Sequence, residues 1–293
     1  MLAPWLELPG AQGRLDDWSA SSGLDLERLG TTATLQDITD TAVTQPLVVA
    51  SALLGAAELR RRGDLPADTI VAGHSIGEVS ALAIAGVISE SDALRLASVR
   101  GAAMSRACAD RPTGMIAVLG GVEADVLLAL ENAGLTPANR NGAGQIVAAG
   151  PLEACDALEQ NPPSRARLRR LEVAGAFHTE HMASAVEEVS ALAETIEVRK
   201  PELTLLSNAD GMAVTSGRQA LDQVISQITS PVRWDLCTQT MLKRGVDTFV
   251  ELPPSGALVG LAKRMMRDVP RYGLTTPEDL EQTLESVPAL SGA

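Results

Sequence analysis

Thr69-Ile70-Val71-Ala72-Gly73-His74-Ser75-Ile76-Gly77-Glu78-Val79-Ser80-Ala81-Leu82-Ala83-Ile84-Ala85 is the stretch on which the fold turns. An apolar run feeds a Gly-x-Ser-x-Gly turn at Gly73–Gly77, and the turn opens an alanine-rich helical segment. Strand, sharp turn and helix in that order describe a nucleophile elbow. The glycines at 73 and 77 are expected to let the backbone fold sharply and neighbouring chain approach. Oγ of Ser75 then stands at a helix N-terminus, beside free backbone N–H groups that favour developing negative charge. Such a placement suits acyl transfer.

The 293 residues are enough for one large α/β domain, or for a domain carrying a smaller insert. Aromatics make up only 2% of the chain, so the core must be built from Ala, Leu, Val and Ile, which suits helices on a parallel sheet. No run reaches eighteen consecutive apolar residues and no signal-peptide layout opens the chain, so a cytoplasmic protein without membrane attachment is expected. Cys108, Cys155 and Cys237 fit neither a disulfide framework nor zinc spacing and read as buried thiols in a reducing compartment. A formal net charge of −13 argues against a nucleic-acid partner. An acidic protein partner would need a local basic patch. Arg165, Arg167, Arg169 and Arg170 offer one, on an alternating stretch that reads equally as a docking strip or a solvated face.

Along the chain, Thr44-Gln45-Pro46 opens a capped helix that ends near Arg62-Gly63, and a second helix over 91–109 carries Arg100. Residues 115–120, 145–150 and 166–173 read as extended, with helices over 123–133 and 151–159 between them. That β-α-β-α-β order suggests a compact ferredoxin-like insert. After Gly175 the expected order is a helix over 179–193, a strand at 203–206, a helix over 219–228, a strand at 248–252 and a helix to about Arg267. Beyond Leu274 the pattern is weak, and a partly mobile tail is expected there.

A serine hydroxyl needs a base within reach, and only three histidines are available. His74 adjoins Ser75 on a sharp turn and is expected to pack locally. His178 lies at a strand-to-helix junction, where α/β catalytic groups collect, and is favoured over His181, which would sit one turn further on as a surface or supporting residue.

Six motifs then extend the reading: Gly73-His74-Ser75-Ile76-Gly77-Glu78, Ser98-Val99-Arg100-Gly101, Ala138-Asn139-Arg140-Asn141 with Gly144-Gln145, Gly175-Ala176-Phe177-His178, Leu206-Ser207-Asn208 with Asp210-Gly211, and Ser230-Pro231-Val232-Arg233-Trp234. In this order they resemble the malonyl-CoA:acyl carrier protein transacylases, nearest to the actinobacterial enzymes of fatty-acid synthesis. The resemblance implies an α/β-hydrolase-like large subdomain with a parallel sheet core, over 1–111 and 175–293, and an inserted ferredoxin-like subdomain over 112–174. It further implies Ser75 as nucleophile, His178 as general base, the Ile76 N–H in the oxyanion hole and Arg100 on the malonyl carboxylate. Gln227 is similar to the residue whose backbone carbonyl orients the histidine, so no third acidic residue is required. Phe177 matches the position where related acyltransferases of polyketide synthesis carry Phe for malonyl, and it also reads as a core-facing ring.

The expected reaction is a ping-pong transfer of malonyl from coenzyme A to the phosphopantetheine thiol of acyl carrier protein, by a monomer with no metal and no cofactor. Two departures and rivals accompany that expectation. The family's leading strand and Pro-Gly-Gln-Gly loop have no match before Met1-Leu2-Ala3-Pro4-Trp5-Leu6, and Pro9-Gly10-Ala11-Gln12-Gly13 is only superficially like the loop. A misplaced start, a shortened chain and an impaired protein would each leave that pattern. The rival functions are a polyketide-type acyltransferase, a serine thioesterase or hydrolase on the same elbow, and a carrier-binding remnant.

Overall fold

A computed structural model describes residues 1–63 and 65–290. In chain order the first half contributes α1 (Ala11–Ser22), α2 (Leu26–Thr31), α3 (Thr41–Arg62), β1 (Ile70–Val71), α4 (Gly77–Ile84) and α5 (Glu90–Asp110). A central block follows: β2 (Thr113–Gly120), α6 (Glu123–Ala133), β3 (Thr136–Gly142), β4 (Gln145–Pro151), α7 (Leu152–Gln160) and β5 (Ala166–Arg170). The remainder is α8 (Val186–Ala193), β6 (Thr204–Leu205), α9 (Gly217–Ser226), α10 (Trp234–Lys243), β7 (Phe249–Glu251), α11 (Ala257–Met265), β8 (Arg271–Gly273) and α12 (Pro277–Ser286). The fold class is α/β.

The central block is a four-stranded antiparallel sheet in the order β3-β4-β2-β5. Its two faces do different work. Ile116, Val118, Ile146 and Ala148 pack under α6 and α7, whereas Met115, Ala117, Val147 and Ala149 face Ala176 and Phe177 on the other side. The ferredoxin-like pattern is therefore β-α-β-β-α-β. The sequence reading lacks β3 because Pro137, Asn139, Arg140 and Asn141 are poor strand formers. β3 forms as the first strand of a hairpin with β4, from Thr136↔Ala149 to Gly142↔Gln145, and its other edge is tied to the segment at Val232, Arg140 N donating to Val232 O and Val232 N to Ala138 O, both at 2.9 Å.

The alternation on β5 corrects the arginine strip. Arg169 pairs with Ala117 and Arg167 with Leu119, so both stand exposed on the face shared with Phe177, and Arg165 is exposed at the strand's approach. Arg170 points to the opposite face and is held by Asp156 and Glu159 of α7.

Around this block the parallel strands are short. β1 pairs with β6 through Ile70↔Thr204 and Val71↔Leu205, and β7 pairs separately with β8. The parallel core is thus in two pieces. Residues before Ala11 form a 3-10 turn at Ala3–Trp5, and Gln12 lies in the first turn of α1, donating to Asp16 and Glu27 on the exposed surface. The helices carry most of the main core, with Trp5, Trp18 and Trp234 all buried. α3 is long and apolar enough to cross a membrane by composition, with mean hydropathy 1.5, but 72% of that window is buried inside the fold, as a core helix is.

Several boundaries move for local reasons. α3 starts at Thr41 because Asp40 accepts the Ala42 N–H, and Pro46 is carried inside the helix. The stretch after His178 begins as a 3-10 segment, Glu180–Ala185, before α8. The expected mobile tail is instead the capped helix α12, whose Leu280 and Leu284 are buried; only 291–293 of it lie outside the described residues. Cys155 and Cys237 are buried thiols, while Cys108 is only partly covered.

Candidate active site

The turn after β1 holds Ser75 at φ 54°, a left-handed conformation that costs energy for any residue with a Cβ and recurs at nucleophile elbows. Only one of the flanking glycines is sterically required. A Cβ on Gly73 would lie 2.0 Å from Gly77 C, whereas one on Gly77 would meet nothing within 4 Å. Ser75 N donates to Asn208 Oδ1 at 2.9 Å, and Asn208 Nδ2 donates to Gly73 O at 2.8 Å, so one asparagine clamps both sides of the turn. The Ile76 N–H, at the mouth of α4, has no backbone or side-chain acceptor among the described residues.

His178 is brought to Ser75 from 103 residues away along the chain, with Nε2 at 2.7 Å from Ser75 Oγ. It too has a positive φ, of 61°. The loop that carries it is pinned by Ala176 N donating to Thr113 Oγ1 and Thr179 Oγ1 donating to Ala176 O. His178 Nδ1 lies 2.7 Å from Gln227 O. A carbonyl can only accept, so the proton sits on Nδ1 and the lone pair of Nε2 faces the serine. Burial, then the charge of Arg100, push the imidazole down to about 3 against the opposing pull of the Gln227 carbonyl, which keeps the ring neutral. Those are the requirements of a general base acting on a serine.

Arg100 is 1% exposed. Nη1 donates to Gln45 Oε1 at 2.7 Å and Nη2 to Gln227 Oε1 at 3.0 Å, while Nε has no partner among the described residues. Burial lowers the guanidinium to about 10, and it stays charged. A buried cation with unspent donors is matched to an incoming anion, and a carboxylate fits its planar fork. Phe177 is partly buried between the main core and the open face of the antiparallel sheet.

The remaining histidines lie elsewhere. His74 bonds Asn141 Oδ1 at 2.9 Å and meets Trp234 edge-on at 5.8 Å; burial lowers its pKa. His181 sits in the 3-10 segment with its backbone N–H on Thr179 Oγ1. Among the described residues no group of three His, Cys, Asp or Glu side chains is arranged to hold a metal ion.

Residues 12–283 match the acyl transferase domain family. The chain belongs to that family. It is 57% identical over 285 residues to the malonyl CoA-acyl carrier protein transacylase of Mycolicibacterium smegmatis, covering 96% of this chain and 98% of that one. The protein of the same name from Mycobacterium tuberculosis is 56% identical over 283 residues, 96% of this chain and 94% of its own. A crystal structure of MCAT from Mycobacterium tuberculosis superposes with a TM-score of 0.92 at 55% identity, covering 96% and 93% of the two chains. Within this acyl transferase three site residues escape sequence reasoning: Gln45, Asn208 and Glu78. Asn208 and Glu78 stand inside quoted motifs, but nothing in the spacing shows that they meet behind the serine.

Proposed function

We propose that this acyl transferase moves malonyl from malonyl-CoA to the phosphopantetheine thiol of acyl carrier protein through an ester on Ser75. The names of its relatives and the buried Ser75–His178–Gln227 relay support that reading, and the relay's 2.7 Å serine–histidine contact carries it. Ser75 Oγ attacks the thioester carbonyl as its proton passes to His178 Nε2. The carbonyl oxygen becomes an oxyanion facing the Ile76 N–H and the N-terminus of α4. Collapse breaks the C–S bond, and the imidazolium returns its proton to the departing coenzyme A thiolate. The carrier thiol then gives its proton to His178, attacks the Ser75 ester, and leaves as the malonyl thioester with Ser75 reprotonated.

In this reading Arg100 holds the malonyl carboxylate with the donors that Gln45 and Gln227 leave free, and the Phe177 ring limits bulk beside the acyl α-carbon. The coenzyme A thioester is a substrate, and the chemistry draws on no metal or other cofactor. Residues 1–111 with 175–293 form the large subdomain and 112–174 the small one, in a cytoplasmic monomer, with Arg167 and Arg169 on the small subdomain offering a basic strip to an acidic carrier.

Incubation with malonyl-CoA followed by intact-protein mass spectrometry tests the reading. One malonyl adduct is expected, and none in Ser75→Ala. An adduct that survives in Ser75→Ala would refute it.

A further inference from the structure

Gln227 touches both ends of the site, its backbone oxygen on His178 and its side-chain oxygen on Arg100. The second contact requires the amide to point one way. Its nitrogen faces Asn208 Oδ1 at 3.0 Å and Glu78 Oε2 in a short hydrogen bond, so both amide hydrogens are spent on acceptors and the oxygen is left for Arg100, which can only donate. Glu78 takes the Asn208 backbone N–H on its other oxygen at 2.7 Å. Both Glu78 oxygens thus lie against N–H groups, and Asn208 Oδ1 holds the Gln227 nitrogen alongside them.

A carboxyl group in that position is costly to bury. Glu78 is 4% exposed, on the first turn of α4, and among the described residues it makes no direct ion pair. Burial pushes it up to about 8 against the Asn208 N–H, the Ser207 hydroxyl, Arg100 and Gln227, which pull the other way. A buried carboxyl without a direct ion pair destabilises a fold relative to an apolar side chain, so its retention fits a task other than stability.

We propose that Glu78 is a positioning residue for acyl selectivity: it fixes the Gln227 amide with its oxygen toward Arg100, and so holds the guanidinium in place for the carboxylate of the acyl group. The proposal rests on the reading of Arg100 given above.

Glu78→Gln keeps the shape and removes one acceptor. The Asn208 backbone N–H cannot turn away, so the introduced amide oxygen stays on it and the introduced NH2 meets Gln227. The Gln227 amide is then caught between two mismatches: held by Asn208 Oδ1 it meets the introduced NH2 donor to donor, and flipped it sets its own NH2 against Arg100; either way its oxygen is no longer firmly fixed on the guanidinium. The experiment compares malonyl-CoA and acetyl-CoA as donors for the full chain, its Glu78→Gln and Arg100→Ala variants, and the double variant, with melting temperatures alongside. Glu78→Gln is expected to lower kcat/KM for malonyl-CoA about tenfold more than for acetyl-CoA, chiefly through KM, as loss of one hydrogen bond to a charged group would. The double variant should be no less selective than Arg100→Ala alone. Gln227→Met, which keeps the backbone carbonyl on His178, should reproduce the selective loss and stands in if Glu78→Gln fails to fold. Equal losses for the two donors in both the Glu78 and Gln227 variants, or additive losses of selectivity in the double variant, would overturn the proposal. If Arg100→Ala itself leaves the preference unchanged, the reading of Arg100 fails; if Arg100→Ala is selective and the other two are not, only the role of Glu78 fails.

Discussion

The antiparallel sheet over 113–170 and the surroundings of Ser75 hold their geometry by different means. In the sheet, β2 is laddered on both sides, from Thr113↔Pro151 to Leu119↔Gln145 against β4 and from Ile116↔Arg170 to Gly120↔Ala166 against β5, over an apolar core. At the site, β1 has only Ile70↔Thr204 and Val71↔Leu205, and the two groups that meet at 2.7 Å both sit on left-handed backbone. What fixes them is side-chain hydrogen bonding: Asn208 on the serine turn, Gln227 on the base and arginine, and Glu78 behind both. Ladders tolerate the loss of one side chain, whereas a buried polar network loses alignment when one member leaves.

The sharpest break should come at Gly73. With a Cβ placed 2.0 Å from Gly77 C, Gly73→Ala cannot keep the elbow, and we expect a loss on the order of 4 kcal/mol or more, with no Ser75 labelling. Gly77→Ala meets nothing within 4 Å and should melt close to the parent. Calorimetry on both variants checks the contrast.

Next, Ile116→Ala, in the sheet core, should cost about 2–5 kcal/mol of stability while leaving Ser75 acylation per folded molecule unchanged. Asn208→Ala should reverse that balance. It strands the Ser75 N–H and one Gln227 hydrogen, costs about 1–3 kcal/mol, and slows acylation about tenfold or more. Urea melts paired with single-turnover kinetics separate the two outcomes.

An effect absent at neutral pH and growing on acidification follows from His178, whose folded pKa of about 3 lies below its ordinary 6.5. Its contribution is complete above pH 6.5 and is lost as pH falls toward 3, because the unfolded chain takes up a proton that the folded one refuses. Between those limits the parent should lose up to about 1.4 kcal/mol per pH unit relative to His178→Gln. Parallel pH-dependent melts that show no divergence would contradict a neutral buried imidazole.

The smallest effect should come from the exposed Arg167 and Arg169. Reversing both to Glu should weaken the carrier step roughly threefold to tenfold, more at low salt, and leave acylation by malonyl-CoA unchanged, as rim charges do. Equal behaviour of the two half-reactions at low salt would assign the strip to solvent.

The sequence reveals those parts of the molecule whose signals are local. The elbow reads directly from Gly73 to Gly77, and helix 123–133 shows its full length in its apolar spacing. β3 is hidden because Pro137, Asn139, Arg140 and Asn141 are poor strand formers that the hairpin with β4 overrides, and α12 because its apolar face is only Leu280, Thr283 and Leu284 among charged residues. In the site, Ser75 and His178 carry chemistry-bearing side chains in marked positions. Gln45, Asn208 and Glu78 do not, since a single buried amide or carboxyl has no periodic signature, and only the tertiary fold shows that they share one hydrogen-bond cluster.

The central claim is that malonyl on Ser75 is an intermediate passed to a carrier thiol. The direct measurement is to isolate the malonyl-enzyme free of coenzyme A, add phosphopantetheinylated acyl carrier protein, and follow both proteins by intact mass over a single turnover. The account predicts that malonyl leaves Ser75 as it appears on the carrier, at matching rates. Release as free malonate, or an adduct that stays on the enzyme with carrier present, would contradict it.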